Sequence, residues 1–195
     1  MASHDDKRRR ILAAATEVFA ERDFHQVHVS EVASRAGVGK GTLYLYFPTK
    51  DHLHRVALEG SLERVAGEVE TAARSDAPVD EVLRRIVLSI LRFFWRRQHL
   101  LTLVQRFEQR APRRAKERRR RVVRAVEDVL TRHHLGGTSG ARHLAAAFLL
   151  GLARAAIFEH APDDRPESVA ARAVDVFLHG VAGGATTARR HRGAA

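Results

Sequence analysis

Between Val29 and Pro48 the chain reads VSEVASRAGVGKGTLYLYFP, and Lys50 follows two residues later. Lys40 and Lys50 supply ammonium groups that neutralise phosphate or donate to a guanine edge. Thr42 offers a hydroxyl and a methyl suited to thymine. Tyr44 and Tyr46 keep their rings against protein or sugar while their hydroxyls reach phosphate, and Gly41 lets the backbone come close. This is the chemistry of holding a polyanion. Tyr44 also fits a plain half-buried packing role.

Three further positions set the geometry. Ala33 is small where two helices must cross closely, Gly37 follows by four at a turn that needs a positive φ, and Leu43 follows by six as a core anchor. That is helix-turn-helix spacing, in which the second helix lies in the major groove and its N-terminus offers free N–H groups to an anion. Isolated Ala-x3-Gly-x5-Leu patterns arise readily by chance, so the Lys and Tyr positions carry more of the reading than the spacing does.

The chain that must position these residues has 195 residues, 45% hydrophobic and 29% charged, which is a globular composition. It has no Cys, which excludes disulfides, thiolate metal sites and thiol catalysis, and points to a reducing compartment. No apolar run is read as approaching the roughly 20 residues of a membrane span, and MASHDDKRRR runs into an amphipathic pattern, not a signal-peptide core. A soluble, cytoplasmic protein with no membrane partner is expected.

The formal charge is +11, which favours a polyanionic partner. Its distribution is uneven. Residues 1–60 hold nine Lys/Arg against eight Asp/Glu, whereas residues 105–124 hold ten Lys/Arg against two Glu.

Apolar positions recur at three and four throughout, and a strand's alternation never persists, so the fold class is all-α. About nine helices are predicted: 7–22, 30–36, 40–47, 49–74 with Thr49 as N-cap, one through Val82–Phe94, 100–110, 113–134, 141–160 and 166–183. Asp164 and Glu167 suggest a capping-box-like start to the last one.

RRRILAAATEVFAERDF followed by VSEVASRAGVGKGTLYLYFPTKDHL resembles the N-terminal DNA-binding domain of the TetR (tetracycline repressor) family of bacterial transcriptional regulators, over roughly residues 7–60. The resemblance implies a three-helix DNA-binding domain over 1–50 (motif 29–48, linking helix 49–74) and a helical effector-binding and dimerisation domain over 51–195. It assigns DNA contacts to Ser30, Gly39, Lys40, Gly41, Thr42, Tyr44, Tyr46 and Lys50, with Leu45 between them on the exposed side. Three departures stand out. Asp23 occupies a position where the family has a helix-ending Gly, and Asp tolerates the left-handed conformation better than most residues. Val27 and His28 replace a Thr pair, and Gly39 replaces a Ser, which removes hydroxyls available to phosphate.

The resemblance also implies a ligand pocket among the later helices, with Phe93, Phe94, Phe107 and Phe148 as candidates, and a dimer interface through Phe148, Gly151, Leu152, Ala155, Ala173, Val176, Phe177 and Gly180. Ordinary core packing is the competing reading for each of them. The implied function is a sequence-specific regulator, a homodimeric repressor on double-stranded operator DNA with approximate two-fold symmetry, released by a small hydrophobic or anionic effector. A non-specific nucleic-acid-binding or architectural protein is the alternative.

Arg113 to Arg121 are charged all round the helix and cannot be buried. A solvated face, attraction to DNA and recognition of an anionic effector all remain open for them. Twelve His residues form no H-E-x-x-H, and His133 and His134 diverge by about 100 degrees on a helix. No metal, cofactor or catalytic residue is expected, and the chain does not read as an enzyme.

Overall fold

The computed structural model describes residues 4–95, 97, 100, 104 and 112–190, residues 181–190 by backbone alone. Among these residues it is all-helical, with eight α-helices and a short 3-10 turn. They are α1 (His4–Glu21), α2 (Val29–Arg35), α3 (Lys40–Tyr46), α4 (Lys50–Ala73), α5 (Val79–Phe94), α6 (Pro112–Arg132), α7 (Ser139–Glu159) and α8 (Pro166–Arg190), with the 3-10 turn Phe24–Gln26 between α1 and α2. The helix expected over 100–110 lies outside the described residues apart from Leu100 and Val104, both buried. The chain divides into two compact units, Met1–Arg64 and Val65–Ala195.

The first unit closes on a single core. Ile11, Ala14, Ala15, Val18 and Phe19 of α1 recur at helical spacing and are all buried. Against them pack Val27, Val29, Val32, Ala33, Ala36, Leu43, Phe47, Leu53 and Ala57. Thr49 caps α4, its hydroxyl accepting from the His52 N–H at 3.0 Å. Asp23 differs from expectation: it is extended (φ −62°, ψ 149°), so the chain leaves α1 without a left-handed residue and no glycine is needed there. Val27 is 1% exposed, so its methyls serve the core at a position the resemblance associates with a phosphate-contacting hydroxyl.

In the second unit α5 packs against α7 and α8, and α6 against α7. The turn between α6 and α7 uses left-handed backbone at His134, Gly136 and Gly137, after which the Thr138 hydroxyl accepts from the Ala141 N–H at 3.3 Å. The helix assigned over Pro166–Arg190 is interrupted at Gly180, whose φ of 72° and ψ of 172° no helix accommodates.

Helix α7 corrects the expectation that no segment is apolar enough to cross a membrane: by length and composition it is. Arg154 is the only Asp, Glu, Lys or Arg between His143 and Phe158. One face, Ala146, Leu149, Ala153 and Ile157, is buried. The other presents Leu144 (71% exposed), Phe148 (55%) and Phe158 (49%) outward.

The start of α8 also departs from the expected box. Asp164 accepts from the Ala161 N–H at 2.9 Å and pairs with Arg172 at 2.6 Å, while Glu167 reaches Arg92 at 2.9 Å. Ser168 instead closes the turn, its hydroxyl donating to the Arg165 carbonyl at 2.9 Å. The Arg172 guanidinium, followed by the Ala161 N–H, holds the Asp164 carboxyl below its ordinary value. A depressed folded value means that the contribution is complete above the ordinary carboxylate range and disappears as pH falls through the folded value. Asp164→Asn is therefore expected to lower the melting temperature at pH 7 and to lower it less at pH 2. Thermal melts of both proteins across that range check this, and an equal deficit at both pH values would refute it.

Candidate nucleic-acid interface

The site rests on the turn between α2 and α3. Gly37 takes φ +63°, and a Cβ there would sit 2.6 Å from Arg10 Nη2. The Val38 N–H donates to the Ala33 carbonyl at 2.9 Å and the Gly37 N–H to the Ser34 carbonyl at 3.0 Å. This is the six-to-one and five-to-two closure of a Schellman helix end, with partly buried Val38 packing on the core beneath. Arg10 then fastens the turn from α1: Nε donates to the Ala36 carbonyl at 3.0 Å, and Nη2 to the Ala36 and Gly37 carbonyls at 2.5 and 3.0 Å.

A second tie joins α1 to α2 through charge. Arg22 donates to both Glu31 oxygens at 3.0 and 2.7 Å, and Arg35 to both Glu21 oxygens at 2.7 and 3.2 Å. Glu17 and Glu31 lie a further 3.8 and 3.7 Å from Arg35. The hydrogen bond from Arg35 holds the Glu21 carboxyl below its ordinary value. Exposed pairs of this kind stabilise little, but two bidentate forks fix orientation. They also occupy acids of this unit away from α3, whose sequence KGTLYLY contains none.

Helix α3 has two faces as a result. Leu43 and the following Phe47 are buried, at 0% and 1% exposure, so Lys40, Gly41, Tyr44 and Leu45 point to solvent on the opposite side. Leu45 is 84% exposed, an apolar side chain standing free on a polar face. Thr42 is half-buried at the edge, and Gly39, the N-cap, brings no side chain to the first turn. Ser30 is exposed in the first turn of α2. Tyr46 and Lys50 are more engaged than the sequence suggests: Tyr46 packs partly on the core with its ring 4.5 Å from that of His4, and Lys50 Nζ sits 4.4 Å over the Phe24 ring. Sequence reasoning missed Arg10. The signal available was its position immediately before the buried face that begins at Ile11.

Residues 11–56 match the model of "Bacterial regulatory proteins, tetR family". That stretch of the chain is similar to the regulators of this family. The chain is 34% identical over 89 residues to the HTH-type transcriptional activator FasR of Mycolicibacterium smegmatis, covering 46% of this chain and 41% of that protein. The chain thus spans less than half the length of FasR. Two solved structures share its fold: a TetR/AcrR-family regulator from Thermobifida fusca (TM-score 0.72, 20% identity, 90% of this chain and 98% of that one), and FadR from Bacillus subtilis in complex with stearoyl-CoA (TM-score 0.62, 22% identity, 89% and 99%).

In the second unit Phe94 is buried and stands edge-on to Phe93 at 4.7 Å, whereas Phe148 is exposed and 6.3 Å from Phe177. Phe107 lies outside the described residues. A groove of about 560 Å3 is found instead between the end of α4 and α6, lined by Glu70, Ala73, Arg74, Arg121, Arg124, Ala125, Asp128 and Arg132.

Arg10→Ala frees the two turn carbonyls and is expected to destabilise the protein by about 1 kcal/mol, the net worth of such a hydrogen-bonded group. Chemical denaturation followed by helical circular dichroism measures it. A change within error would show that the Gly37 closure holds the turn unaided.

Proposed function

We propose that the chain is a cytoplasmic, sequence-specific DNA-binding transcriptional regulator, a homodimeric repressor released from its operator by a small-molecule effector. The observation that carries this reading is the solvent face of α3, where Lys40, Gly41, Tyr44 and Leu45 project together opposite Leu43 and Phe47. Lys40 and the Tyr44 hydroxyl suit phosphate or base edges, and Leu45 and the Thr42 methyl suit thymine. Ser30, Gly39, Tyr46 and Lys50 complete the proposed contact set at its margins. The DNA-reading part is residues 1–50, and residues 51–195 bind effector and second copy.

Dimerisation follows from the size of the reading head, since one recognition helix meets too few bases for useful specificity. The outward apolar side of α7 supports the proposed surface. Leu144, Phe148, Gly151, Ala155 and Phe158 are exposed there, and Phe177 of α8 lies beside Phe148. Apolar surface of this kind is buried in soluble proteins by association, and a two-fold partner offers the same stripe in return. Release by an effector requires only that DNA and effector favour different conformations of the chain. A hydrophobic or anionic effector is the proposed class, in line with the stearoyl-CoA held by the FadR neighbour. No enzymatic activity is assigned.

Gel-shift titrations with DNA from around the protein's own gene test the reading. The expected result is a complex that survives excess competitor DNA, and Lys40→Gln is expected to reduce the slope of log affinity against log salt by about 1. Equal affinity for all sequences with a steep salt dependence would favour the non-specific alternative instead. For the assembly, Phe148→Glu places a charge on the proposed interface and is expected to shift sedimentation velocity from dimer toward monomer. An unchanged dimer would move the interface elsewhere.

A further inference from the structure

The groove between the end of α4 and α6 is built by spacing. Residues 121, 124, 125, 128 and 132 fall three and four apart on α6, so they share one face, and Glu70, Ala73 and Arg74 stand across from them. Its volume of about 560 Å3 lies within the roughly 300–1,000 Å3 of small-molecule sites.

Four guanidinium groups line it, and they divide into two kinds. Arg121 and Arg132 are held by the protein: Arg121 Nε donates to Glu70 at 2.9 Å, while Arg132 donates to the Ala73 carbonyl and, at 3.4 Å, to the Ser75 carbonyl, with Asp76 4.0 Å away. Both tie α6 to the end of α4 and so hold the two walls of the groove together. The side chains of Arg74 and Arg124 are exposed and have no hydrogen bond or ion pair among the described residues, and the same is true of Asp128. The buried Ala73 and Ala125 form small apolar patches between them.

Four cations against two carboxylates in one groove repel one another, and a bound anion relieves that repulsion. Guanidinium is the side chain best shaped to do so for phosphate or carboxylate, because its planar fork gives parallel N–H donors. We infer that this groove binds a small organic anion bearing phosphate or clustered carboxylate groups, clamped between Arg74 and Arg124, with Asp128 accepting from a ligand hydroxyl or amine. The inference lies wholly within the second unit. It stands whether or not the first unit reads an operator.

Isothermal titration of the full chain in low-salt, phosphate-free buffer tests it, with inorganic pyrophosphate and citrate as the two probes. The expected result is saturable binding of at least one probe with one site per chain, and the tighter of the two assigns phosphate or carboxylate as the group recognised. Arg74→Gln and Arg124→Gln are each expected to weaken it by about tenfold or more. Arg124→Lys, which keeps the charge and loses the fork, falls between. Arg114→Gln removes the same charge from an exposed position ten residues along α6 and is expected to leave affinity within about twofold. Circular dichroism melts verify that each variant is folded. Failure of both probes to bind at millimolar concentration overturns the inference, as does an equal loss in Arg114→Gln, which would reduce the effect to general attraction by a basic helix.

Discussion

One backbone conformation governs the first unit: the left-handed Gly37 between α2 and α3. At φ +63° the chain reverses in a single residue, and the missing Cβ is what lets the Arg10 guanidinium approach the Ala36 and Gly37 carbonyls. Those carbonyls end a helix and would otherwise need water. With the turn closed from both sides, the direction of α3 is set, Leu43 and Phe47 enter the core, and Lys40, Gly41, Tyr44 and Leu45 have nowhere to go but outward. A helix of seven residues is too short to be stable alone, so α3 depends on this turn together with the core that Leu43 and Phe47 share with α1.

Charge plays two separate parts. In residues 1–60 it nearly cancels, because Arg22 and Arg35 meet Glu17, Glu21 and Glu31 in a network that orients α1 and α2. The unit therefore presents Lys40 on α3 without a large overall field. The excess that dominates the total sits on α6, where Arg113, Arg114, Lys116, Arg119, Arg120 and Arg121 are exposed. Net charge alone is a poor guide to where an anion binds; placement relative to carboxylates decides it.

Helix α7 shows how one apolar sequence serves two surfaces. Ala146, Leu149, Ala153 and Ile157 bury one side, while Leu144, Phe148 and Phe158 face outward on the other. A helix apolar on most of its circumference passes the length and composition test for a bilayer, yet its buried side packs within this unit against α5, α6 and α8.

What the sequence determined by itself was local. Ala33, Gly37 and Leu43 declare the helix pair because turn geometry and helical period act over a few residues, and Thr49 was readable as a cap for the same reason. The faces of α3 followed from Leu43 alone. Contacts between residues distant in the chain were another matter. Arg10 reaching residues 36 and 37, Glu167 pairing with Arg92, Lys50 lying over Phe24, and Arg74 standing across a groove from Arg124 all join residues far apart in sequence. Local propensity carries no information about such pairs. Asp23 makes the same point in reverse: its type allowed a left-handed turn, and the path required by the Val27 and Val29 core positions left it extended. Which partner a long, exposed side chain finds is settled only when packing brings the helices together, because the free energy separating its options is small until the geometry removes all but one.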